Sequence, residues 1–325
     1  MDFGTIIGNT AAYLFSPVTI AYALAATGLA MHFGYTGLLN FGMAAFMAVG
    51  GYGYAISILT FGAPWWVGVL VGMLAGAAFA LLLGIPTLRL RADYLAIATI
   101  ATAEVVRLLF VTELFKDWTN SAGGLSGYHQ GFRDANPLPA GTYGFGPWTY
   151  NENDLWVRIF GLVVLAVSVL FVWALVRSPW GRVLKGIRED EDAVRALGKN
   201  VFAYKMQALV VGGVIGALGG IVFVLPSAVI PGSYSTSLTF FLWTVLLLGG
   251  AATVLGPSLG AVLFWVVFAF LGSLLNQLAV SGMIPLSAAQ ADIVRYIAIG
   301  VALMLIVIFR PQGILGNKRE MTFVK

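Results

Sequence analysis

Continuous apolar runs of about 20 residues recur along almost the whole of this chain, and they constrain its fold more than any other feature. At a rise of about 1.5 Å per helical residue, such a run matches the roughly 30 Å hydrocarbon thickness of a bilayer. The runs do not alternate with period two, so they read as helices and not as the strands of a barrel. Nine candidate spans follow, near 15–33, 37–60, 64–85, 92–112, 156–177, 204–225, 236–255, 256–276 and 293–309. Glycines interrupt the second, seventh and eighth, so the count lies between eight and ten. The expected fold is all-α, a single polytopic transmembrane helical bundle over 1–325. Composition agrees, with 10% charged residues against roughly 25% in a soluble domain. The opening MDFGTIIGNT has an acid and no base, so the first apolar run is expected to stay as a span and not to be cleaved as a signal.

The bases are unevenly placed. Seven lie between Arg177 and Lys205, four lie from Arg310 onward, and Arg89 and Arg91 add two, which is 13 of the 18 in the chain. The segment 112–155 is the reverse, with two bases and five acids. Nine spans put the three basic segments on one side and 112–155 on the other. The positive-inside rule makes the basic side cytoplasmic. The N-terminus is then expected outside and the C-terminus inside, with 112–155 an extracytoplasmic loop, 178–203 a cytoplasmic loop and 310–325 a cytoplasmic tail. In this setting the net charge of +4 reports orientation and does not point to nucleic acid. The absence of cysteine excludes disulfides, thiol catalysis and thiolate metal sites.

The stretch GRVLKGIREDEDAVRALGKN (181–200) holds nine charged residues of the 32 in the chain. Orientation explains its bases but not the acids Glu189 to Asp192, since acids contribute little to that rule. Acids favour a helix N-terminus, Arg195 falls towards the end of the same segment, and Gly198 is a natural C-cap. Ile187, Val194 and Leu197 are spaced to share one apolar side. The expectation is one short helix at the membrane surface, joined to its spans by Ser178-Pro179 and Lys199-Asn200. A solvated loop carrying orienting bases is the plainer reading of the same charges.

SPWGRVLKGIREDEDAVRALGKNVFAYK (178–205) resembles the cytoplasmic loop of the branched-chain amino acid permeases of ABC importers. LRLRADYLAIATIATAEVVRLL (88–109), GYTGLLNFGMAAF (34–46), LLGGAATVLGPSLGAV (247–262) and RPQGILG (310–316) resemble further segments of that family, in the same order. The resemblance favours the longer of the two permeases usually paired in these importers. It implies that Glu191, Ala193, Ala196 and Gly198 match a coupling helix that docks on an ATPase, with Arg188 and Arg195 in the same coupling set. It also implies a second homologous permease, two ABC ATPase subunits, an extracytoplasmic substrate-binding protein and a prokaryotic inner membrane. ATP and magnesium would be bound by the ATPase and no cofactor by this chain. The substrates implied are branched-chain or related hydrophobic amino acids, with urea or a short amide as the alternative within the same architecture.

Within the spans, Gly68, Gly72 and Gly76 are four apart, as are Gly212, Gly216 and Gly220. Such ladders let helices cross closely. Thr36 and Asn40 sit among the glycines of the second run, where an interrupted helix could line a path. Interhelical hydrogen bonding is the other role open to them. Glu104 and Arg107 are the deepest charges; three apart on one helix, they suit a structural ion pair or a transient contact with a zwitterion. His32 and His129 stand alone, so no metal site is expected. The chain has no G-x-x-x-x-G-K-[ST] or H-E-x-x-H sequence, which argues against an ATPase or an intramembrane zinc protease. A stand-alone secondary transporter or channel would have only Glu104 as a buried ion carrier. A membrane scaffold without transport is the remaining class.

Overall fold

A computed structural model describes residues 3–281, 283–284, 287–309 and 312–316. The basic tail expected at 310–325 lies outside the described residues except for 312–316. The chain opens with α1 (Phe3–Ala12) and α2 (Pro17–Leu29). Ser16 caps α2, its Oγ accepting from the Val18 N–H at 3.2 Å, and Pro17 occupies the first turn, where its missing N–H costs nothing. The helix widens into a π-turn at Ala30–Gly34, and residues 35–42 are not helical. Helix resumes as α3 (Met43–Phe61), followed by α4 (Trp65–Thr87) and α5 (Ala92–Val111).

The segment before the next long helix contains α6 (Lys116–Thr119), α7 (Gln130–Asp134) and a hairpin of β1 (Thr142–Tyr143) with β2 (Tyr150–Asn151). Then come α8 (Glu152–Arg177), α9 (Pro179–Glu189), α10 (Glu191–Ala196), α11 (Val201–Val224), α12 (Thr236–Gly249), α13 (Gly256–Val280) and α14 (Ala288–Phe309).

Each of the nine expected spans contains a helix. Among the described residues, seven helical segments are long and apolar enough to cross a membrane. α12 is apolar but has 14 residues, about 21 Å of helix, which is short of a bilayer core. The second span starts at Met43 and not near 37, because Gly37 (φ 76°) takes a left-handed conformation that breaks the helix. α1 was not foreseen. Its ten residues are too few to span, and it is held from the side. Ile6 is buried, and the Trp148 indole N–H donates to the Ala11 carbonyl at 2.9 Å.

α11 is the centre of the bundle and packs most extensively against α2, α3 and α4. The two glycine ladders explain why. A Cβ placed on Gly220 would stand 1.9 Å from the Met47 carbonyl oxygen, one on Gly212 2.4 Å from that of Gly28, and one on Gly72 2.7 Å from that of Gly50. Backbone meets backbone at these crossings, so no side chain larger than hydrogen fits. The resulting core is graded. In the segment 17–35 about nine residues in ten are buried, whereas in 93–111 only about one in ten is, the others being half-buried or exposed on this chain.

The 112–151 segment is an ordered cap. Leu125 and Val229 exchange backbone hydrogen bonds of 2.9 and 3.0 Å. The Tyr128 hydroxyl reaches the Ser227 carbonyl at 2.7 Å, and Phe132 stacks on Trp156 with centroids 5.6 Å apart. These contacts fasten the cap to the end of α11 and to the start of α8.

Candidate functional site

The charged loop folds as two helices and not as one. Ser178 is the one residue between α8 and α9; its Oγ caps α9, and Pro179 belongs to the first turn of that helix and not to the joint. α9 is strongly amphipathic, with Gly181, Leu184 and Ile187 buried. The break falls at Asp190, whose extended backbone (φ −155°, ψ 102°) ends α9 and whose carboxylate caps α10, accepting from Asp192 N at 2.9 Å and Ala193 N at 3.0 Å. Glu191 and Asp192 occupy the first turn, Arg195 the last, and Gly198 (φ 76°) closes the segment, as the sequence suggests. The single apolar side is not realised. Ile187 is buried and Val194 packs over Gly186, but Leu197 is 79% exposed. The kink at Asp190 turns the two helices apart, and a 3.6-residue count across it loses its meaning.

An ion network stiffens α10. Glu191 pairs with Arg195 at 2.9 Å and with Lys205 of α11, and Arg195 also reaches Asp192 at 2.8 Å. Ala193 and Ala196 stay exposed beside them. Arg188 behaves differently from the rest of the coupling set. Its side chain is only 5% exposed; one guanidinium nitrogen donates to the Gly34 carbonyl at 2.6 Å and another to Glu189 at 2.6 Å. Its Cγ would lie 3.3 Å from a Cβ at Gly37, so the side chain rests directly on the interrupted segment.

That segment is buried irregular backbone, and each polar group needs a partner there. His32 Nε2 donates to the Leu209 carbonyl at 3.0 Å, since a carbonyl only accepts. Nδ1 is then the acceptor for the Asn40 amide at 2.9 Å. Asn40 Oδ1 accepts from Gly42 N at 2.7 Å, and Thr99 Oγ1 accepts from Phe41 N at 2.9 Å. The Thr36 hydroxyl donates to the Met31 carbonyl at 2.8 Å. Thr36 and Asn40 are thus buried and bonded in this state. Thr36 also borders a cavity of about 300 Å³ with Gly37, Leu38, Arg188, Glu191 and Lys205.

The second glycine-rich interruption meets the first. A Cβ on Gly34 would fall 1.8 Å from the Ala251 carbonyl oxygen, and Phe33 and Phe41 both pack on Trp243, at 4.8 and 4.5 Å between centroids. Residues 312–316 fold onto the same turn, Ile314 N donating to the Leu248 carbonyl at 2.9 Å. Glu104 and Arg107 lie elsewhere, on the outward face of α5. They pair at 2.5 Å and are 40% and 24% exposed.

His32, the Arg188 tether and Lys205 were not singled out as site members from sequence. His32 and Asn40 are eight residues apart across a helix break, so no periodic pattern joins them. The contact of Arg188 with Gly34 spans 154 residues. Among the described residues, no group of three or more His, Cys, Asp or Glu side chains is placed to hold a metal.

The family model described as branched-chain amino acid transport system / permease component matches residues 13–309. The high-affinity branched-chain amino acid transport system permease protein LivM of Escherichia coli (strain K12) is 28% identical over 324 residues, covering 95% of this chain and 71% of that protein. The probable branched-chain amino acid transport permease protein LivM of Methanocaldococcus jannaschii is 27% identical, covering 93% and 92%. The nucleoside ABC transporter permease protein NupC of Lactococcus lactis is 26% identical, covering 77% and 76%. These relatives are membrane transport components and not enzymes. A match over nearly the full length, on a helical bundle with interrupted helices, makes this chain a member of the branched-chain amino acid transport permease family.

Proposed function

We propose that this chain is one of two homologous permease subunits of an ATP-driven ABC importer that passes branched-chain or related hydrophobic amino acids by alternating access. Two ATPase subunits would supply the energy and hold ATP and magnesium, and an extracytoplasmic binding protein would deliver substrate over the 112–151 cap. The setting would be a prokaryotic inner membrane, with α9 and α10 on the cytoplasmic side. The observation that carries the reading is the bond from Arg188 to the Gly34 carbonyl. It ties a surface helix pair with an exposed end to the irregular segment at which two interrupted helices meet. Movement imposed on α10 would pass through α9 and Arg188 into residues 34–42. Exposed Ala193, Ala196 and Gly198 would face the ATPase; Glu191 and Arg195 would keep α10 rigid, and Arg188 would work from the inside. The pair Glu104–Arg107 is assigned a structural role, because its outward position on α5 stands apart from the interrupted segments.

A second substrate reading, a nucleoside, is favoured by the NupC likeness. Reconstitution with the second permease, the ATPase and the binding protein in liposomes separates the two. Labelled leucine uptake that requires hydrolysable ATP is the expected result. ATP hydrolysis stimulated by a nucleoside but not by leucine would move the substrate. Uptake by this chain without the ATPase would overturn the importer reading.

A further inference from the structure

A cavity of about 800 Å³ opens between the 88–91 turn that joins α4 to α5, the helix α10 and the first turn of α11. Five bases line it (Arg89, Arg91, Arg195, Lys199 and Lys205) against two acids, Glu191 and Asp192. Both acids are already engaged, Glu191 by Arg195 and Lys205 and Asp192 by Arg195. Arg89, Arg91 and Lys199 form no ion pair among the described residues. Three uncompensated positive charges therefore converge on one cavity, drawn from two separate parts of the chain.

Asn200 and four apolar residues, Leu88, Leu90, Val201 and Phe202, complete the lining. The turn also ends an apolar surface that nothing in this chain covers, since Leu82 and Ile85 of α4 and Tyr94 and Ile97 of α5 are all exposed. These side chains belong to helices of membrane-spanning length, so the bases stand where a span reaches the membrane surface. A soluble anion would satisfy the bases but not the apolar surface that continues from them. An anionic phospholipid satisfies both: its phosphate oxygens accept from Arg89, Arg91 and Lys199 while its acyl chains lie along α4 and α5.

We propose that this groove binds the headgroup of an anionic phospholipid, which would brace the 88–91 turn against α10. The inference does not depend on the substrate or on the ATPase. The test uses the full purified chain, with bound lipid counted by native mass spectrometry after mixing with phosphatidylglycerol or cardiolipin, and with phosphatidylcholine as the zwitterionic comparison. Each base at a membrane surface contributes about 1 kcal/mol to such binding, so R89Q/R91Q/K199Q should bind the anionic lipid on the order of a hundredfold more weakly. R133Q, which removes a base from the distant cap, should bind as the wild type does, and monodispersity with unchanged helicity would show that both variants fold. Retention of anionic lipid by the triple variant, or equal binding of phosphatidylcholine by the wild type, would sink the proposal. Displacement of the lipid by millimolar inorganic phosphate would identify a free-anion site and equally overturn the lipid assignment.

Discussion

Arg188 illustrates how one residue can carry two kinds of work. As a base it adds to the charge of its loop; as a buried guanidinium it satisfies a carbonyl left free at the end of a π-turn. Arg188→Ala would leave the Gly34 carbonyl without that donor, at a cost of about 1–3 kcal/mol. The expected signature is a lower thermal midpoint in detergent, together with uptake in the assembled importer that falls while ATP hydrolysis continues. Uptake and hydrolysis that fall in step would count against transmission through this side chain. A second residue-scale outcome concerns His129 in the cap. Burial, with the neighbouring Arg133 cation, lowers its pKa below the ordinary histidine value of 6.5. A lowered histidine binds fewer protons folded than unfolded, so the folded cap loses stability as pH falls through about 6.5. Amide protection factors over residues 125–135, corrected for the pH dependence of intrinsic exchange, should therefore be lower at pH 5.5 than at pH 7.5, and His129→Gln should remove that difference.

At the scale of elements, the charged loop shows that a cap can decide how many helices a segment forms. Asp190 could continue α9, yet its carboxylate satisfies two N–H groups of the next helix and its extended backbone turns the chain. Asp190→Ala should cost about 1 kcal/mol and raise amide exchange in 191–197 selectively, leaving the buried face of α9 protected. Equal exchange in both helices of the variant would mean that the cap is not what separates them. The interrupted helices follow a related logic. A break inside a bundle persists because side chains take over the backbone's hydrogen bonds, here Asn40 for Gly42 and Thr99 for Phe41.

For the whole molecule, the central fact is a helix, α11, whose glycines let α2 and α3 approach backbone to backbone, while Gly76 of α4 lets that helix close on Ala217. Gly220→Ala would drive a methyl group against the Met47 carbonyl and push α3 from α11, for a loss of about 1–3 kcal/mol. Gly300→Ala, where nothing lies within 4 Å of the added methyl, is the matched comparison and should leave the thermal midpoint nearly unchanged. If the two variants melted together, the close crossing would not be what holds the bundle. The gradation from a buried α2 to an outward α5 also separates the glycine ladders from the Glu104–Arg107 pair. The ladders belong to the packed centre, and the pair belongs to a face that α4, α11 and α2 leave uncovered.

The sequence by itself determined the class of the molecule. Apolar runs of bilayer length admit only helices, because backbone groups in hydrocarbon must bond within their own segment. That requirement is local, so it can be read along the chain, and each of the nine expected spans does contain a helix. The Gly198 cap and the close-crossing role of the ladders are legible for the same reason, since each depends on residues within a turn or on one helix face. The tertiary structure alone decided what depends on distant partners. The break between α9 and α10 needs a side chain to choose the next helix over its own. The short α1 needs Trp148 to hold it, and the His32–Asn40 bond needs two elements folded back on each other. Arg188 reached Gly34 across 154 residues, and no spacing along the chain encodes a contact made by two surfaces that meet only when the bundle has closed.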